Sequence, residues 1–211
     1  MVAASLAAIG LWLLLVLAAA KFAHRLWPNQ RELGRKLVHM GSGLVIPIAW
    51  FSSLPRPLAL AIALLATGGA ALNHRFRLLP ELEDVGRSSV GTIAYGLAIC
   101  LLVAIWWPQR ADLVCAATLV MALGDGLAGL VGAGLPSPRW RIFAQTKSLL
   151  GTAVMALVSL LVLGLLLPQL PVIQLLALAL AATLLEQLSW AGLDNLSVPL
   201  GVAALAAWLT A

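Results

Sequence analysis

The sequence predicts an all-α, polytopic membrane protein with about eight transmembrane helices and both termini on the non-cytoplasmic side. Three observations carry this reading: 62% of residues are hydrophobic and only 10% charged; apolar runs follow one another along the whole chain; and Lys and Arg collect in alternate loops. An average soluble domain is roughly 45–50% apolar and 25% charged, so water is not the main solvent here. One crossing takes about 20 apolar residues. A chain of 211 residues is therefore read as a single integral membrane domain, 1–211, with almost no extramembrane part.

The runs able to span are 2–20, 37–54, 58–72, 89–107, 112–134, 148–167, 171–190 and 196–210. The first lacks a basic leader region, so it reads as a retained helix, although Ala18-Ala19-Ala20 resembles a cleavage site. Turn-forming residues punctuate the rest: Pro28, Pro55-Arg56-Pro57, Pro80, Pro108, Pro136-Ser137-Pro138, Pro168 and Pro171. The third and eighth runs are short for a crossing and must sit untilted or draw on flanking residues.

Charge placement fixes the orientation. Lys21, Arg25, Arg31, Arg35 and Lys36 fall in the first loop, Arg75, Arg77 and Arg87 in the third, and Arg139, Arg141 and Lys147 in the fifth. Only Arg56 and Arg110, of 13 Lys and Arg, lie in even-numbered loops. Short cytoplasmic loops are enriched in basic residues, so the odd-numbered loops are cytoplasmic. The net charge of +5 is thereby accounted for by topology and by headgroup or phosphate contacts, and nucleic acid is excluded as a partner. Cys100 and Cys115 lie inside apolar runs and read as small buried hydrophobes. Trp27, Trp106, Trp107 and Trp140 sit at span boundaries, where amphipathic rings belong.

Polar residues inside or beside the spans carry the chemistry. At the entry to the second run, Glu32, Arg35, Lys36 and His39 recur at helical spacing and share one face. Gly86-Arg87-Ser88 precedes Gly91-Thr92 and Tyr95; Arg87 with its hydroxyl neighbour suits a phosphate, and the small residues suit helix packing equally well. The fifth run holds Gly124-Asp125-Gly126 within a glycine-rich stretch ending at Gly134. A carboxylate in a span costs a few kcal/mol and marks a polar cavity, ion site or proton path. Flanking glycines expose amides and suit a metal ion with phosphate oxygens. Lys147-Ser148 opens the sixth run, where free amides favour anions, without the spacing of a Walker A loop. Glu186 is a second acid near the end of the seventh run, and Asp194-Asn195 follows. Under the deduced topology all these groups meet at the cytoplasmic face. Several cations, acids and glycine-rich turns at one membrane face are what phosphoryl transfer requires.

The ordered set Glu32, Arg35-Lys36 and His39, then Gly86-Arg87-Ser88 with Gly91-Thr92, Gly124-Asp125-Gly126, Lys147-Ser148 with Gly151, and Glu186 with Asp194-Asn195 and Pro199 resembles the polyprenol kinase family. That family includes phytol, farnesol and dolichol kinases and CTP-dependent diacylglycerol kinases, and the compact form here is most like the phytol kinases of cyanobacteria and plastids. The match runs from about residue 31 to 200. The resemblance implies Mg²⁺, CTP or another nucleoside triphosphate as donor, and a membrane-embedded isoprenoid alcohol as acceptor, in a bacterial plasma or thylakoid membrane with the active face cytoplasmic. Carried onto this sequence, it assigns Asp125, Lys147 and His39 to catalysis. Glu32, Arg35, Lys36, Arg87, Ser88, Gly124, Gly126, Ser148 and Asn195 fall to nucleotide binding, and Asp125, Glu186 and Asp194 to the metal. The chain departs from many relatives at Gly129 and Leu150, where they carry acids. Two other classes share these features: a CTP-dependent cytidylyltransferase acting on phosphatidic acid, and a transporter with Asp125 and Glu186 along an ion path. The sequence leaves the oligomeric state open.

Overall fold

The computed structural model describes residues 2–76, 90–143 and 145–211. Within them ten helices follow one another: α1 Val2–Leu26, α2 Arg31–Gly43, α3 Val45–Phe51, α4 Arg56–Phe76, α5 Gly91–Trp106, α6 Ala111–Leu119, α7 Gly126–Gly134, α8 Leu149–Leu166, α9 Val172–Gln187 and α10 Asp194–Leu209. A π-helical turn, Val120–Asp125, joins α6 to α7, so Ala111–Gly134 forms one continuous rod. Between α7 and α8 a short antiparallel hairpin pairs β1 Arg139–Ile142 with β2 Gln145–Ser148. The sequence alone indicates only a loop there and puts Ser148 inside the sixth run.

Among the described residues, four segments are long and apolar enough to cross a membrane: Val2–Leu26, Arg56–Phe76, Ala111–Gly134 and Leu149–Leu166. Gly91–Trp106, Val172–Gln187 and Asp194–Leu209 are apolar but shorter. The third run, expected to be short, gains a turn at its C-terminal end and becomes the 21-residue α4. The second run breaks in two at Leu44. The cause is Pro47, which offers no N–H and whose ring would meet the carbonyl four residues back, at Gly43, where α2 ends.

The rod Ala111–Gly134 is the hub. Leu113 through Thr118 and Val120 through Ala122 have no solvent exposure, as a helix apolar on all sides should when it is the centre of a bundle. Around it pack α2, α3, α5, α8 and α10. The outer helices turn leucines outward, as with Leu11, Leu14 and Leu15 on α1, Leu64 and Leu65 on α4, and Leu157, Leu161 and Leu165 on α8. That is the apolar girdle of a membrane protein.

Polar contacts tie the described connections together at two separate places. At one, Trp107 Nε1 donates to the Leu54 carbonyl at 2.8 Å. Arg56 donates to the Trp107 carbonyl and to Gln109, and Arg110 holds Asp112 at 3.1 Å and Thr210 at 2.9 Å. At the other, the Val90 amide donates to the Ala191 carbonyl, across a turn in which Ala191 and Gly192 adopt positive φ. This second place holds the polar cluster.

Candidate active site

Asp125 closes the π turn. A π turn places one extra residue in a helical turn and is frequent at functional positions; here it stands directly before the carboxylate. Glycines on either side of Asp125 admit neighbours too close for any side chain: a Cβ at Gly124 would lie 2.6 Å from Met155 Sδ, and one at Gly126 would overlap Met40 Cγ. Both are thus close-packing positions between helices, rather than amides left open for an anion. Gly132 and Gly151 let α7 and α8 touch, with Gly151 Cα 3.5 Å from a Cβ built at Gly132. This contact brings β2 and the start of α8 against the rod.

Four helices and the hairpin deliver the charged groups. From α2, one turn into the bundle, Lys36 Nζ donates to Asp125 Oδ2 at 2.6 Å and to the Asp125 carbonyl at 3.1 Å. Gly129 makes room for it, since a Cβ there would lie 2.9 Å from Lys36 Nζ. The space that a side chain at position 129 would take is here filled by the ammonium. His39, one turn on, holds its Nε2 3.9 Å from Asp125 Oδ2, and its ring lies 4.5 Å from that of Tyr95. At the surface Arg35 pairs with Glu32 at 2.6 Å.

From β2, Lys147 pairs with the Glu186 carboxylate and also donates to the Glu186 carbonyl at 3.1 Å. Ser148 caps α8, its hydroxyl accepting from the Gly151 amide at 3.1 Å, which fixes the strand-to-helix corner that aims Lys147. Arg139 donates to the Gly132 carbonyl at 3.2 Å, tying the hairpin to the C-terminal end of α7, where a cation is favoured. On α9, Gln187 donates to Thr152 at 2.8 Å and to Glu186 Oε2 at 3.1 Å. At the start of α10, Asp194 accepts from the Asn195 amide at 3.1 Å, and Asn195 Nδ2 donates to the Gly192 carbonyl.

The result is a three-carboxylate cluster. One oxygen each of Asp125, Glu186 and Asp194 lies within 4.8 Å of the others, and Glu186 and Asp194 are buried. Three like charges so close in a partly desolvated site repel strongly. The two lysines offset only part of that, leaving a net negative cluster suited to a cation. The dimensions fit a hard divalent ion: opposed ligand oxygens around Mg²⁺ stand about 4.2 Å apart. Asp125, Glu186 and Asp194 are the residues that would hold it.

Sequence positions 39, 125, 147, 186 and 194 thus converge, as the charge placement and the acids in apolar runs lead one to expect. Lys36, expected on the nucleotide, and Lys147, expected in catalysis, stand on the acids themselves. Gly124 and Gly126 serve packing, and Asn195 holds the α9–α10 turn. Arg87 and Ser88 lie outside the described residues. Sequence reasoning misses Gln187 and Thr152: each is an uncharged polar residue in an apolar run, and only the α8–α9 pairing shows that they bracket Glu186.

Comparison with known proteins supplies the remaining observation. The chain is 40% identical, over 217 aligned residues covering 95% of its own length and 93% of the relative, to the phytol kinase of Synechocystis sp. (strain ATCC 27184 / PCC 6803 / Kazusa). It belongs to the polyprenol (phytol) kinase family. No family model and no solved structure matches it. Membership in the kinase family agrees with the resemblance carried by the motifs, and the near-complete coverage means that the similarity extends over the chain as a whole rather than over a fragment of it.

Proposed function

We propose that this protein is a lipid-alcohol kinase that transfers the γ-phosphate of CTP, or another nucleoside triphosphate, to an isoprenoid alcohol such as phytol at the cytoplasmic membrane face. The observation that carries the reading is the meeting of Asp125, Glu186 and Asp194 within 4.8 Å, flanked by Lys36 and Lys147, in a chain 40% identical to a phytol kinase. Phosphoryl transfer depends on positioning and on neutralising phosphate charge. Bound Mg²⁺, held by Asp125, Glu186 and Asp194, would supply that neutralisation. Lys36 and Lys147 offset the repulsion among the acids before the donor arrives, and their ammonium groups are placed to move onto phosphate oxygens.

The alcohol oxygen attacks the γ-phosphorus, the bond from that phosphorus to the β–γ bridging oxygen breaks, and CDP departs with the electron pair. The hydroxyl proton passes to a carboxylate of the cluster, a role assigned to Asp125, which also stands against Lys36 and His39. The products are an alkyl monophosphate and CDP. Buried walls around Asp125 limit hydrolysis of the donor by water.

In this reading the chain makes eight membrane passes, with α2 and α3 together forming the second and both termini non-cytoplasmic. Its support is the apolar helices, with the loops joining α3 to α4 and α5 to α6 tied to one another and the α9–α10 turn standing with the acids, and the collection of Lys and Arg in alternate loops of the sequence. The hairpin turn then faces the cytoplasm. A single cysteine replacing Phe143, which is 65% exposed, should react with an impermeant maleimide in inside-out vesicles and stay unlabelled in right-side-out ones; the reverse pattern inverts the topology.

The activity is tested with purified protein, Mg²⁺, each nucleoside triphosphate in turn, and phytol, geranylgeraniol, farnesol, dolichol, diacylglycerol or phosphatidic acid, with products identified by mass spectrometry. The expected result is an isoprenoid monophosphate together with a nucleoside diphosphate. Pyrophosphate and a CDP-lipid from phosphatidic acid would instead establish a cytidylyltransferase.

A further inference from the structure

An apolar groove of about 440 Å³ runs along the outer seam of α8 and α9, lined by Ala153, Ala156 and Leu160 on one side and Leu176, Ala179 and Leu180 on the other. Its volume lies within the range of small-molecule sites, and it opens laterally among outward leucines such as Leu161 and Leu184.

The two helices that line the groove carry its walls on toward the carboxylate cluster. On α8, Thr152 stands four residues before Ala156 and eight before Leu160, so the three share one ridge. On α9, Leu176, Leu180, Thr183 and Gln187 follow at spacings of four, three and four and likewise share one face. Thr152 and Gln187 therefore follow the lining residues at the cluster end of the two walls, joined by a 2.8 Å bond beside Glu186. The Thr152 hydroxyl is fully engaged, donating to the Ser148 carbonyl at 2.9 Å while accepting from Gln187. Gln187 is not. Its amide nitrogen has two acceptors, but its Oε1 is a buried acceptor with no partner, on a residue only 8% exposed. A buried amide oxygen without a donor is destabilising, a loss that an alcohol O–H at this point would remove.

We propose that this groove is the seat of the acceptor's hydrocarbon tail and that Gln187 Oε1 takes the hydrogen bond of its hydroxyl. The proposal rests on the lipid-alcohol kinase reading for what happens to that hydroxyl, and adds where the acceptor lies and what shape it has. The occupant is a single methyl-branched chain. The seam between two helices is one channel, so one tail enters, unlike the paired acyl chains of a diacylglycerol. Ala153, Ala156 and Ala179 set notches between the leucines, into which methyl branches fit and which a straight chain leaves empty, forfeiting contacts.

The test uses the full chain in nanodiscs with a diazirine-bearing farnesol as photoprobe, mapped by peptide mass spectrometry, on wild type and on Ala153→Trp and Ala156→Trp. Ala153 is exposed, so at least that variant keeps its fold, and folding is read independently by turnover of the five-carbon alcohol 3-methyl-2-buten-1-ol. Expected are crosslinks within 153–160 and 176–180, competed by phytol more effectively than by n-octadecanol. The tryptophan variants should raise KM for phytol by about tenfold or more, the scale of a filled apolar pocket, and leave the five-carbon alcohol within about twofold. Crosslinks on other helices, equal competition by the straight chain, or a parallel rise in both KM values would overturn the groove. If phytol competes for these crosslinks while no acceptor is phosphorylated, the groove stands and the kinase reading falls; an active kinase with crosslinks elsewhere keeps the kinase and removes the groove.

Discussion

Asp125→Asn is expected to lower kcat by about a thousandfold or more, the scale of losing one charged group that organises phosphoryl transfer. The substitution is close to isosteric. The amide oxygen can still accept from Lys36 Nζ, now 2.6 Å from Oδ2, so the contact between α2 and the rod survives in outline. What disappears is the negative charge, and with it both the attraction for a divalent cation and the capacity to take a proton. Leaving the Lys36 ammonium without its counter-ion is a cost in its own right. Removing one partner of a buried pair typically destabilises by about 3–5 kcal/mol, and this pair, 11% and 17% exposed with an acceptor retained, should lose less than that. The variant is therefore expected to purify as a monodisperse protein with a lowered melting temperature. Size-exclusion profile, melting curve and turnover measured together separate a chemical loss from a folding one. Near-normal turnover in a folded protein would remove Asp125 from the chemistry.

The second large effect is expected at Glu186. Glu186→Gln keeps an oxygen for Lys147 but turns an NH₂ group toward the Gln187 amide that now donates to Glu186 Oε2, and it deletes a charge from a three-acid cluster whose oxygens lie within 4.8 Å. Cation affinity should fall accordingly. The Mg²⁺ concentration giving half-maximal rate is expected to rise by about 10- to 100-fold, at least the scale seen when the support of a ligand is lost, with most of kcat recovered at saturating Mg²⁺. Chelation by EDTA should silence both wild type and variant, with Mg²⁺ restoring each at its own concentration. An unchanged Mg²⁺ dependence would take Glu186 out of the metal set and reduce its role to anchoring Lys147. The same titration on Asp125→Asn should show no recovery, because that residue is assigned the proton as well as the ion.

Much of this arrangement is legible in the sequence because membrane solvent leaves a chain few options. Backbone polar groups must be satisfied within each crossing, so the apolar runs 112–134 and 148–167 reappear as the rod Ala111–Gly134 and α8 almost to the residue. Acids in such runs are costly, and that is why Asp125 and Glu186 stand out from the sequence alone. The break at Leu44 is readable too, from Pro47, though a hydropathy run passes over it. Other features have no local signal. The π turn before Asp125 depends on how the rod packs against α2, α8 and α10. The β-hairpin is four residues a side, too short for alternation to declare it. The pairing of Lys36 with Asp125, 89 residues apart, and of Lys147 with Glu186, 39 apart, is decided by which helices adjoin. Positive-inside charge and catalytic charge look alike in a linear sequence, and only tertiary contact separates Lys36 and Lys147 from Arg139, which fastens the hairpin to α7.

If the carboxylate cluster moves the terminal phosphate of a nucleotide onto a lipid alcohol, the origin of the transferred phosphorus decides the matter. Wild type and Asp125→Asn would be incubated with phytol, Mg²⁺ and CTP labelled in parallel reactions at the α- or the γ-phosphate. Label should reach the alcohol from the γ-position alone, with CDP released and the variant silent. Label arriving from the α-position, or equal transfer by wild type and variant, would refute both the reaction and the place assigned to it.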